Sequence, residues 1–166
     1  MQPSPLAIVG LIAGIEERYF DPELATAWAL HQFESCAAAG WLSDLVCGGG
    51  LNDTLTALWD GYHALNLHAE RIDQVSLQLG FGFLSYERGD RDLVTLLRES
   101  GELADSAGNA DPECESFYIL LNEIDGGGPT MPSDTPLIAR VEELYAPHAQ
   151  LARDAETLIR HGMPAA

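Results

Sequence analysis

At 166 residues and 46% hydrophobic, the chain has the length of one compact domain whose core needs neither disulfide nor metal. Twenty-six acids stand against eight bases, all arginine, for a formal charge of −18. That charge disfavours direct binding to nucleic acid or an anionic membrane, because affinity for phosphates needs cations.

The apolar run from Leu6 to Ile15 lacks the positive flank and small-residue cleavage site of a signal peptide, and Glu16-Glu17 follows directly. It also falls short of the roughly 20 residues that span a bilayer. A first helix from Pro5 to Tyr19 is the expected reading. Ser4-Pro5, Asp21-Pro22, Asp111-Pro112 and Thr135-Pro136 each place a capping side chain before a proline suited to the first helical position. A second helix is predicted from Pro22 to about Ala39, closed by Gly40 in the left-handed conformation.

Trp41 to Leu51, ending in Gly48-Gly49-Gly50, reads as an apolar corner between the second and third helices, with a helical turn over Leu42 to Cys47. The surrounding stretch, Asp21 to Leu67, holds all three tryptophans and no base. The rest of the chain is therefore expected to pack on this corner, with Trp28, Trp41 and Trp59 buried. A third helix, capped by Asn52 or Asp53, carries Leu55, Leu58, Trp59, Tyr62 and Leu65 at helical spacing. Asn66 ends it, and a fourth helix follows from Leu67 to Leu79.

Gly80-Phe81-Gly82-Phe83 reads as a connector, and Phe81 to Tyr86 is the sole candidate strand. After a break at Gly89, Asp90 caps a fifth helix that reaches Arg98 or Glu99, and 100–110 is a polar loop. A sixth helix runs from Pro112 to Ile124. The stretch 126–134 is a predicted mobile loop. The last helix spans Pro136 to Gly162, kinked or split by Pro147. The expected fold class is all-α, a single domain over 1–166 with seven or eight helices.

Motifs for chemistry are weak. Gly48-Gly49-Gly50 precedes Leu51-Asn52 rather than the Lys-Ser/Thr of a phosphate-binding loop. His63 and His68 lie about 140° apart around a helix, unlike the one-turn spacing of a helical metal pair. Neither a metal nor a cofactor is expected. Cys36, Cys47 and Cys114 are odd in number and lack a C-x-x-C pair, which points to reduced thiols in a cytoplasmic protein. Cys36 or Cys47 with His31 or His63 would be needed for a nucleophile and base, with no local signature for it. A small helical enzyme with an unplaced His and carboxylate site remains an alternative.

The charge pattern is more specific. Between Glu99 and Ala139 lie nine acids and no base, and between Tyr19 and Glu70 seven acids and no base. Surfaces that are merely solvated commonly intersperse the two signs. Glu99, Glu102, Asp105, Asp111, Glu113 and Glu115 are accordingly the candidate partner-binding residues, offered to the basic surface of another protein. Acidity for solubility alone is the plain alternative.

The run Trp28 to Ile72 resembles the helical domain of a family of small acidic bacterial proteins typified by a neisserial DNA-mimic protein. Ala39-Gly40-Trp41 stands at the family's glycine-aromatic turn, Leu45 to Gly50 at its aromatic turn, Ala57-Leu58 at the Ala-Leu pair of the next helix, and His68-Ala69 in its successor. Ala39 replaces a glycine, Ser43 and Leu45 replace polar and aromatic residues, and Asn66 stands near an expected glycine. The resemblance implies an all-helical monomer or homodimer, without catalytic residues, whose acidic face binds a DNA-binding protein. Members also look like immunity proteins that neutralise a bacterial toxin, which is the second functional expectation.

Overall fold

A computed structural model of the chain describes residues 3–35, 40–108, 114–126 and 135–163. Among the described residues there are eight α-helices, α1 (Pro5–Glu16), α2 (Pro22–Ser35), α3 (Gly40–Cys47), α4 (Leu51–Ala64), α5 (Gln74–Arg88), α6 (Leu93–Ala107), α7 (Cys114–Gly126) and α8 (Thr135–His161). A 3-10 turn, Leu67–Glu70, lies between α4 and α5, and no strand occurs among the described residues. The all-α expectation holds. Cys36, Ala39, Asp111, Glu113, the Asp111-Pro112 cap and the predicted loop beyond Gly126 lie outside the described residues.

The core centres on α1. Its residues Ala7 to Ile15 are buried without interruption, as a helix apolar on every side must be. Around it pack α4, α5 and α8, while α2 and α3 join α4, and α6 pairs with α7. Two glycines set the spacing of this centre. A Cβ on Gly10 would stand 2.7 Å from Ala155 Cβ, and one on Gly80 would stand 2.8 Å from Ala152 Cβ and collide with the His148 carbonyl. The bare backbones of α1 and α5 thus lie directly on the alanine side of α8.

Trp28 and Trp41 are buried with ring centroids 6.5 Å apart, and Trp41 lies flat against Gly61 of α4. Trp59 is only half-buried, stacked on His63 at 6.1 Å. The three tryptophans are therefore not equivalent.

Several expected boundaries move, each for a local reason. Gly80 to Phe83 is not a connector but the buried middle of α5, where small residues admit α8. The expected fourth helix is instead the 3-10 turn, flanked by Asn66 and Arg71 in the left-handed region. The following helix begins only where the Asp73 carboxylate accepts from the Ser76 N–H at 3.0 Å. α4 starts at Leu51, and Asp53 reaches back to the Gly49 N–H at 3.2 Å rather than serving as the cap itself. Asp92, not Asp90, caps α6. That helix runs through the segment predicted as a polar loop, because Ser100, Gly101 and Ala104 are buried on it. α8 continues unbroken through Pro147.

Candidate functional site: an acidic face on α6 and α7

The candidate acids belong to two packed helices, and α6 positions most of them. Its first turn is fixed by Asp92, whose carboxylate accepts from the Thr95 N–H at 2.9 Å and the Thr95 hydroxyl at 2.7 Å. These bonds hold the Asp92 carboxyl below its ordinary range. Leu93, Leu96, Leu97, Ser100, Gly101 and Ala104 form the buried side. Glu99, Glu102 and Asp105, spaced three apart, fall on the exposed side.

The helix α7 lies against α6 through a small residue. The Tyr118 ring sits where a Cβ on Gly101 would be, 2.8 Å from that position. Partial desolvation, and then the charges of Asp105 and Glu102, push the Tyr118 hydroxyl upward. Cys114 Sγ stands 3.9 Å from Asp105 Oδ1, bringing the start of α7 beside the same carboxylates. Glu115, next in the chain, is exposed. Glu102, Asp105 and Glu115 thus share one end of the α6–α7 pair, and none of them has an ion-pair partner among the described residues.

Glu99 behaves differently. Its carboxylate meets Arg91 at 3.1 Å, and the same guanidinium holds Glu17 at 3.1 Å. Burial raises the Glu17 carboxyl, and Arg91 opposes that shift. Beneath this cluster, the Tyr145 hydroxyl donates to Ser100 Oγ at 2.6 Å, and burial drives the phenol well above its ordinary range. Glu99 is therefore part of a structural network that joins α1 to α6.

Three further arginines, Arg88, Arg140 and Arg153, are also engaged between helices. Arg88 and Arg160 both reach Glu156, at 3.3 Å and 2.7 Å, and Arg88 lies over the Tyr19 ring, 3.7 Å from its centroid. The Tyr19 hydroxyl donates to Glu156 at 2.8 Å and accepts from Arg88. Arg153 pairs with Glu87 at 2.6 Å, and Arg140 grips both oxygens of Glu123 at 2.6 and 3.0 Å. Four of the eight arginines, Arg88, Arg91, Arg140 and Arg153, are thus engaged in ion pairs that bridge elements of the fold, while the Arg160 pair lies within α8.

Among the described residues the histidines and cysteines do not converge on one site. Cys47 is exposed, His63 lies on Trp59, and no group of three metal-ligating side chains occurs among the described residues. His148, buried, shares a 2.7 Å hydrogen bond with Ser76 Oγ. Neither the groove between α7 and α8 nor the one beside Tyr19 is lined by His31, His63 or Cys47. No helix among the described residues is long and apolar enough to cross a membrane.

Two residues of this face escape a reading by sequence. Tyr118 is one aromatic among several on α7, and only the glycine opposite makes it a lid over α6. Arg91 precedes its helix and carries no periodicity that would pair it with Glu99. Comparison of the chain with protein-family profiles, curated proteins and solved structures gives no match.

Proposed function

We propose that this chain is a non-enzymatic interaction protein whose acidic face occupies the basic surface of a partner protein, in the manner of a DNA mimic. The observation that carries the reading is the distribution of charge. Four arginines are drawn into pairs between elements, and Glu102, Asp105 and Glu115 are exposed on α6 and α7 without an ion-pair partner among the described residues, outnumbering Arg98, the exposed base of α6. A field of one sign accelerates encounter with a surface of the other and repels competitors of its own sign. The resemblance of Trp28 to Ile72 to DNA-mimic proteins favours a DNA-binding partner among basic proteins.

The immobilised chain, exposed to extract of its native cell at about 0.1 M salt, is expected to retain a basic protein. Duplex DNA should displace that protein. The variant Glu102→Gln, Asp105→Asn, Glu115→Gln should retain much less of it, since screening and charge removal act on the same long-range attraction. Retention that neither DNA nor the triple variant diminishes would sink the proposal.

A further inference from the structure

Beside the acidic face, α7 and α8 leave an open apolar groove of about 330 Å³, lined by Ser116, Ile119, Leu120, Arg140, Glu143 and Leu144. Leu120 is buried at its floor and Leu144 half-buried, whereas Ile119 on the wall is 54% exposed. An isoleucine so exposed beside a ready-made recess is an unused apolar contact. The one cation among its described lining residues is neutralised, because Arg140 grips Glu123 with both nitrogens at 2.6 and 3.0 Å. Glu143 on the α8 wall and Glu115, next to Ser116 on α7, are exposed without ion-pair partners among the described residues. The result is an apolar trough between two helices with an acidic rim.

From this we infer that the groove receives the apolar side of a basic amphipathic helix belonging to the partner protein. The inference rests on the proposed function and names the element of the partner that is bound. A helix laid between two helices anchors through side chains one turn apart, and lysines or arginines flanking them would meet the rim. A small-molecule site would need several convergent polar groups to orient its ligand. Here Arg140 is already committed to Glu123, and the remaining wall is Ser116, Glu143 at the edge and aliphatic carbon, too few polar groups to converge on a small ligand. An acidic amphipathic helix would match the trough but be repelled by the rim.

The test uses a fluorescent synthetic peptide of roughly 18 residues with leucines on one helical side and lysines on the other, long enough to fold on binding. Three comparisons accompany it: a scramble of the same composition, a version with glutamate for lysine, and the Ile119→Ser protein. The Leu/Lys peptide is expected to bind one per chain and become helical. Its affinity should fall about tenfold with Ile119→Ser, the loss of one aliphatic contact. The scramble should bind more weakly and ignore that substitution. Circular dichroism of Ile119→Ser should match the wild type, since the side chain is exposed.

If the scramble binds as well as the Leu/Lys peptide and neither responds to Ile119→Ser, the groove is not used, although an acidic interaction surface survives. Equal binding of the glutamate peptide would show an apolar trough without charge selection, and would overturn the basic helix. If no lysine peptide binds even at low salt, the acidic-face reading fails along with the groove.

Discussion

Replacing Arg91 by Met tests whether the cluster at the α1–α6 junction is structural. The arginine side chain is 15% exposed and Glu17 is 18% exposed, so the pair is largely withdrawn from water. Met keeps an apolar stem but leaves Glu17 without its cation. Removing one partner of a buried pair costs about 3–5 kcal/mol, and the residual exposure here places the expected loss near 3 kcal/mol. For a domain of this length that corresponds to a fall in Tm of about 6–12 °C. Glu99 adds little to the loss, because its carboxylate is half-exposed and simply returns to solvent.

The pH dependence follows from Glu17. Burial already raises its carboxyl in the folded protein, and Arg91 lowers it. Without Arg91 the folded value rises further above the unfolded one. A raised carboxyl favours the folded state below the unfolded value, and that advantage is lost as pH rises through the folded value. The penalty of Arg91→Met should therefore be larger at about pH 8 than at about pH 5.5, each unit within the window being worth about 1.4 kcal/mol. Urea denaturation followed by circular dichroism at both pH values measures it. Adding Glu17→Gln should restore stability to within about 1 kcal/mol and flatten the pH dependence. A loss below about 1 kcal/mol, or one that neither pH nor Glu17→Gln changes, would refute the assignment.

Two further substitutions test the packing and the first turn of the site. Gly80→Ala gains about 1 kcal/mol of helix propensity but drives a methyl into the His148 carbonyl and Ala152, so a net loss of about 2 kcal/mol is expected in denaturant melts. Gly101→Ala presses only on the Tyr118 ring, which can swing outward, and should fall within about 1 kcal/mol of wild type. Asp92→Ala should cost about 1 kcal/mol by removing the cap of α6. Its thermal melt should also lose a pH dependence that Asp92 confers. Because the bonds from Thr95 depress this carboxyl, its ionised form stabilises the fold above the unfolded value and ceases to do so as pH falls through the folded value.

Fold class was legible because most helices here announce themselves locally. Prolines at first turns, apolar periodicity and the left-handed Asn66 are properties of a few neighbouring residues. The two misplaced interior segments involve small residues whose meaning lies in a distant helix. Gly80 and Gly82 read as a break because glycine weakens an isolated helix, yet α8 and the Arg91 cluster fill the space that their missing side chains leave. Ser100, Gly101 and Ala104 read as a polar, small-residue loop for the same reason, whereas Tyr145 and Tyr118 cover them. The acids Glu102, Asp105 and Glu115 could be named from a run without bases. That Glu99 differs from them could not, since Arg91 joins it only through the turn ahead of α6.

The position of the arginines separates an interaction surface from simple acidity. Arg88, Arg91, Arg140 and Arg153 each tie one element to another, so these cations are spent inside the fold, and Glu102, Asp105 and Glu115 face water without an ion-pair partner among the described residues, with Arg98 the exposed base on the same helix, α6. Self-repulsion at a charge of −18 opposes compactness, and added salt screens it. Moderate salt should accordingly raise the Tm of the free chain. The same salt should slow association with a basic partner, because that attraction acts over the same distances. The two measurements therefore move in opposite directions if the acidic face is used. A chain acidic for solubility alone would gain stability with salt while its association rate with the captured protein stayed flat, and that outcome would remove the physical ground for assigning the face a partner.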